Sequence, residues 1–204
     1  MDFSLTNEQK MIIDTLKTFV EQELYPHEME VEKTNQIRPE LAAQIKQKAL
    51  DLGLYAANMP EEHGGAGLDT LTLCLMEREL GRANFGLQYI VARPSNILLA
   101  CKGDQIENYL LASIRGDKVD CLAMTEPNAG SDVRSMQCRA ARNGDTFVIN
   151  GTKHFISHAD AADFVILFAA SGVEQTSRGP KKKITSFLID KGTPGFTVES
   201  GYNS

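Results

Sequence analysis

The chain has 204 residues, 42% hydrophobic and 24% charged, with four cysteines and a formal net charge of −6. That composition belongs to a globular protein long enough to bury its own core. The acidic balance argues against a nucleic-acid partner, whose phosphates need a basic face.

No run of about 18 apolar residues is present to span a membrane. The N-terminus carries Asp2 and neither the basic region of a secretory leader nor the Arg-rich, acid-poor character of a mitochondrial one. Cys74, Cys101, Cys121 and Cys138 form no C-x-x-C pair and no zinc spacing. Reduced, mostly buried thiols in the cytoplasm are the expectation.

Two patterns meet near residue 118, predicting domains 1–118 and 119–204. The first is helical. Thr6-Asn7-Glu8-Gln9 has the form of a capping box, in which Thr and Gln side chains satisfy free amides. Ile12, Ile13, Leu16, Phe19, Val20 and Leu24 then recur at helical spacing, and Pro26 ends or kinks that helix. Pro39 opens a second helix with Leu41, Ile45 and Leu52 inward and Gly53 as its stop. A loop at 59–67 holds Pro60-Glu61-Glu62-His63-Gly64-Gly65, whose glycines predict a tight shaped turn. Further helices are predicted over 69–81 and 95–102. Another, opened by Asp104-Gln105-Ile106-Glu107, should reach Arg115.

Beyond Lys118 short runs alternate with turn signals. Strands are predicted over 120–124, 136–142, 146–150, 153–156, 164–169, 184–189 and 196–198, with Asn143-Gly144-Asp145 as a hairpin turn and Asn150-Gly151 as a second turn. Together these predict an α+β multidomain chain, a helical bundle followed by an antiparallel β-barrel or sandwich. The basic cluster 178–183, broken by Gly179 and Pro180, reads as a solvated loop or an anion contact.

The segment Thr125-Glu126-Pro127-Asn128-Ala129-Gly130-Ser131-Asp132 follows a predicted strand and gathers hydroxyls and free amides. Gly130 lets backbone come close to a ligand, and Ser131 adds a donor beside it. Such a loop suits a polar ring or a phosphate oxygen, or is simply a polar turn. His154 and His158 have the i, i+4 spacing of a helical metal pair but sit on a predicted strand and loop, where that spacing does not converge. His63, Glu61 and Glu62 read as structural or solvated loop groups.

Residues 123–135 resemble the signature segment of acyl-CoA dehydrogenases. Pro60 to Gly65 resembles the family's P-E-E-x-G-G loop, Glu77-Arg78-Glu79-Leu80-Gly81 its E-E-L-(A/G) helix end, and Ile149 to Ser157 its I-N-G-x-K-x-W/F-I-T/S segment. The resemblance covers the whole chain in order. It implies an enzyme that oxidises acyl-CoA to trans-2-enoyl-CoA, with hydride to the N5 of FAD and electrons passing to an electron-transferring flavoprotein. It implies FAD contacts at Leu122, Met124, Thr125, Gly130, Ser131, Phe155, Ile156 and Ser157, with the Thr125 hydroxyl near the flavin N5/O4 edge and Phe155 beside the isoalloxazine. Ser131 and Ser186 would meet acyl-CoA. Phe155 stands where many relatives carry Trp, keeping the ring but losing the indole N–H. Glu126 matches a loop-stabilising group.

The resemblance further implies a homo-oligomer, dimer or tetramer, and a third, helical domain bearing the catalytic glutamate. The barrel would be incomplete at its C-terminus, so the chain is expected to be a fragment of a longer enzyme, or else a naturally short product. No catalytic base and no metal ligand is assigned here. An enoyl-CoA reductase on the same scaffold, as in crotonobetainyl-CoA reduction, is the close alternative, and a non-catalytic binding module the distant one. Arg93-Pro94-Ser95 departs from the family pattern, leaving Arg93 open to a polar acyl tail or a surface ion pair.

Overall fold

Thr6 begins the first helix as its pattern predicts: its hydroxyl accepts from the Gln9 amide at 3.1 Å, and the Gln9 side chain accepts from the Thr6 amide at 3.1 Å. In the computed structural model, which describes residues 4–91, 94–177 and 179–199, helix α1 (Asn7–Phe19) buries Ile13, Leu16 and Phe19. Pro26 kinks the chain rather than stopping it. A wide π turn, Val20–Leu24, and a tight 3₁₀ turn, Tyr25–His27, carry it into α2 (Glu28–Thr34). The proline lies where the new turn needs no donor.

Helix α3 (Pro39–Asp51) opens on Pro39 and buries Leu41, Ile45 and Ala49, and Gly53 follows in the left-handed region. Leu52, expected inward, is exposed because the helix has ended there; Leu54 takes the buried place. In the 59–67 loop, a Cβ on Gly65 would stand 2.2 Å from the Met59 carbonyl oxygen, so only glycine fits. Asp69 caps α4 (Thr70–Leu80), which packs on α1 and is tied to it by a Gln9–Thr72 side-chain hydrogen bond of 3.2 Å.

Helix α5 (Phe85–Val91) has no counterpart in the sequence-based reading. The predicted 95–102 helix is a short 3₁₀ segment, Asn96–Ala100. The cap expected at Asp104 lies two residues earlier, where the Gln105 side chain accepts from the Lys102 amide at 3.2 Å. A π segment, Ile106–Leu111, then leads into α6 (Ala112–Ile114). This helical unit is Met1–Asp117.

The second unit, Lys118–Ser204, is built on one sheet. Strands β2 (Arg139–Asn143) and β3 (Thr146–Asn150) form the expected hairpin on a two-residue turn, with Gly144 at φ +61°. Strand β4 (Phe164–Thr176) runs parallel to β1 (Asp120–Ala123) and to the start of β2, and antiparallel to β5 (Gly179–Asp190). The sheet is therefore mixed where the sequence predicts antiparallel pairing. The hairpin and the loop after it act as the long crossover that parallel neighbours require.

Both β4 and β5 extend well past their predicted apolar stretches, through a bulge near Gly172. Lys181, Lys182 and Lys183 therefore stand on a strand rather than in a loop, and Lys182 donates to the Met136 carbonyl at 2.7 Å. Arg178, like Arg93, lies outside the described residues. Segments 153–156 and 196–198 are loops, not strands. Cys121, Ala123, Cys138, Ala140, Val165, Leu167 and Ala169 form the core of this unit. Of the four thiols, Cys121 and Cys138 are buried, whereas Cys74 is exposed.

Candidate functional site

Strand β1 points Cys121 and Ala123 into the core, so Leu122 faces the other way and is 39% exposed. Pairing extends that face across the sheet: Leu122 is opposite Ile166, and Ile166 is opposite Leu188. Two residues further along β4, Phe168 is opposite Ser186. Directly paired residues share a face, so Leu122, Phe168 and Ser186 lie on one side of the sheet. No hydrogen bond joins Ser186 to Ser131 among the described residues.

Past Ala123 the chain leaves the sheet. Glu126 and Ala129 exchange two backbone hydrogen bonds, of 2.9 and 3.2 Å, closing a tight turn at Pro127-Asn128. This turns the Glu126 side chain inward. Its carboxylate accepts from the Gln137 amide, from the Cys138 amide at 3.0 Å and from the Lys153 ammonium at 2.8 Å. Lys153 also donates to the Met124 carbonyl at 2.9 Å, and the His154 amide donates to the Thr125 carbonyl at 2.9 Å. The Thr125, Ser131 and Ser157 hydroxyls have no protein partner among the described residues. Asp132 is occupied with its own turn, accepting from the Arg134 amide at 3.1 Å.

The second loop is shaped by Gly151, at φ +152°. A Cβ there would stand 2.7 Å from the Cys138 Cα, so the chain passes hard against the start of β2. The Asn150-Gly151 pair thus serves a close approach rather than the expected turn. Lys153 enters the interior just beyond it. Phe155 is then held at φ +57°, a strained conformation for an aromatic residue; the residue is 69% exposed and its ring centroid lies 3.9 Å from that of His154. Ile156 is half-buried against the core and anchors the loop, while Ser157 is exposed. The structure thus brings Met124 and Thr125 beside the Phe155–Ser157 loop.

Two buried titratable groups of this region, Glu126 and Cys138, are pushed in different directions. Burial is the largest influence on Glu126 and opposes its charge. Lys153 and the Gln137 and Cys138 amides together outweigh it and hold the carboxyl below its ordinary value. Burial pushes the Cys138 thiol up, with Lys153 opposing the effect and Glu126 adding to it, which disfavours the thiolate. A low carboxyl pKa makes Glu126 a poor proton acceptor, in keeping with its structural reading. Among the described residues no group of three or more His, Cys, Asp or Glu side chains is arranged to hold a metal ion.

Sequence reasoning missed Lys153 and Phe168. For Lys153 a signal existed: its segment and that of Glu126 are the two expected to contact the ligand, and they carry opposite charges. Phe168 gave none, because one aromatic in an apolar run reads as core.

The arrangement fits a planar flavin. It offers an exposed ring held in a strained conformation, three hydroxyls with no protein partner among the described residues, and Gly130, beside which a Cβ would meet no described protein atom within 4 Å.

Comparison with known proteins agrees along the chain. Residues 6–117 match the acyl-CoA dehydrogenase N-terminal domain and residues 121–204 the middle domain. The chain is 35% identical over 208 residues to a probable acyl-CoA dehydrogenase of Bacillus subtilis, covering 100% of this chain and 53% of that protein. It is 32% identical over 195 residues to a 3-(aryl)acrylate reductase of Clostridium sporogenes, covering 93% and 50%. A glutaryl-CoA dehydrogenase of Mycobacterium smegmatis, solved in complex with FADH2, superposes with a TM-score of 0.82 at 26% identity, over 98% of this chain and 49% of that one. The chain thus spans about half the length of the curated relatives it matches. A helical domain followed by a sheet domain, each matching its family counterpart, makes this chain a member of the acyl-CoA dehydrogenase family.

Proposed function

We propose that the chain supplies the flavin- and thioester-facing part of an FAD-dependent acyl-CoA dehydrogenase. The observation that carries this reading is the pairing of two loops. The His154–Thr125 backbone hydrogen bond joins Thr125, whose hydroxyl has no protein partner among the described residues, to a loop whose next residue is an exposed aromatic held in a strained conformation. Leu122, Met124, Thr125, Gly130 and Ser131 on one side, and Phe155, Ile156 and Ser157 on the other, would hold FAD. The Met124 carbonyl is engaged by Lys153 and the Ile156 side chain by the core, so these two offer their remaining backbone groups. Ser131 and Ser186 would meet the acyl-CoA.

When bound, FAD supplies the two-electron acceptor for the substrate's β-hydride. The chain's own groups orient and desolvate. Thr125 offers a hydrogen bond to a polar ring edge, Phe155 covers an apolar face, and the Leu122–Phe168 side of the sheet excludes water. The α-proton is taken by a base that none of these residues supplies, so residues 1–204 alone should not turn over acyl-CoA with a dye acceptor.

In the full enzyme, electrons would pass to an electron-transferring flavoprotein, in a cytoplasmic homo-oligomer. No helix among the described residues is long and apolar enough to cross a membrane. The likeness to an arylacrylate reductase keeps enoyl reduction as the second reading. An acyl-CoA panel on the full-length protein separates the two: bleaching of the flavin band on adding saturated thioesters supports dehydrogenation. Reoxidation by enoyl thioesters alone, with no bleaching by saturated ones, overturns it.

A further inference from the structure

One charged side chain, itself assigned no ligand contact, ties the candidate contacts together. The Lys153 side chain is 6% exposed, and its ammonium donates to the Met124 carbonyl at 2.9 Å and to the Glu126 carboxylate at 2.8 Å. Its neighbour, the His154 amide, donates to the Thr125 carbonyl at 2.9 Å. Two consecutive residues of one loop thus grip three consecutive residues of the other. Glu126 is fixed in turn by the Gln137 and Cys138 amides, which anchors the grip just ahead of β2.

Burying a lysine costs desolvation, and apolar packing joins two loops without that cost. What the ammonium adds is direction, since a single group reaches the oxygens of residues 124 and 126, on either side of Thr125. We propose that Lys153 is a positioning residue that presents the Thr125 hydroxyl and the Phe155 ring as one preformed pair. The inference rests on the flavin reading of Thr125 and Phe155. It acts through the backbone: strain at Phe155 persists only while its surroundings hold it, and the segment 153–158 leans on this clamp. Released, both loops should open locally while the strands beneath them stay closed.

The test is Lys153→Met in residues 1–204, read by hydrogen exchange without ligand and by FAD titration. Exchange over 124–131 and 152–158 should rise at least tenfold more than in β4 and β5, which share only the general loss of the buried pair, with the helical unit unchanged, and FAD affinity should fall at least tenfold. Unchanged exchange in the two loops overturns the proposal. So does acceleration spread evenly through the sheet unit, which marks a role in stability alone. If Lys153→Met does not fold, the double variant Glu126→Gln/Lys153→Met removes the uncompensated charge and is judged by the same criterion. Absence of saturable FAD binding by the unaltered chain overturns the flavin reading, while loop exchange still decides the clamp.

Discussion

Glu79 in the helical unit and Glu126 in the sheet unit are both buried carboxylates, but they are held in opposite ways. Glu79 is held by Arg78 and Arg82, close along the chain and themselves 59% and 36% exposed in their side chains. Its partners keep their water, so the group behaves as a sheltered surface pair. Glu126 is matched by a lysine 27 residues away that is as buried as itself, and by two backbone amides. None of those partners can turn to solvent if the carboxylate is lost. A buried charge is therefore expendable where its partners are hydrated, and indispensable where they are not.

The largest expected effect follows from that contrast. Glu126→Gln should destabilise the sheet unit by about 3–5 kcal/mol, because Lys153 is left buried without its counter-charge. Exchange of the β4 and β5 amides under increasing urea measures it, and a loss below about 1 kcal/mol would remove the asymmetry.

The pH dependence comes next. The Glu126 carboxyl titrates below its ordinary value of about 4.3 in the folded chain, so the folded state binds fewer protons than the unfolded one in that window. Its contribution is complete above the ordinary value and fades as pH falls through the depressed one. The stability gap between the natural chain and Glu126→Gln should therefore narrow below about pH 4 and be flat above pH 6. A gap that widens on acidification would contradict the direction.

Much of the helical unit was legible in the sequence because its signals are local. A capping box at Thr6, a proline start at Pro39 and a glycine stop at Gly53 each act within a single turn. Helix α5 was not, since Phe85-Gly86-Leu87 opens it with an exposed aromatic and a glycine. The far ends of β4 and β5 carry Ser171, Gly172, Glu174, Lys182 and Lys183, a composition that reads as loop. They pair because each strand extends the other, a nonlocal cause. The strand expected over 153–156 failed for the same kind of reason: Lys153 turns inward to a carboxylate that sequence spacing does not reveal.

Two smaller effects sharpen the comparison. Glu79→Gln should cost only about 1 kcal/mol, read from exchange of the α1 and α4 amides, because its arginines remain solvated. Equal losses at Glu79 and Glu126 would erase the distinction. Phe155→Asn should leave stability unchanged or raise it by up to about 1 kcal/mol, since Asn tolerates the left-handed region and the exposed ring buries little. The same change should weaken flavin binding. A large loss of stability instead would make Phe155 a packing residue.

The most direct test of the account is amide chemical-shift mapping of FAD on residues 1–204. The account predicts saturable shifts confined to residues 122–131 and 154–158, with the 59–67 loop and α1 silent. Shifts centred on the helical unit, or none at all at millimolar FAD, would contradict the claim that these two loops form the flavin side of the site.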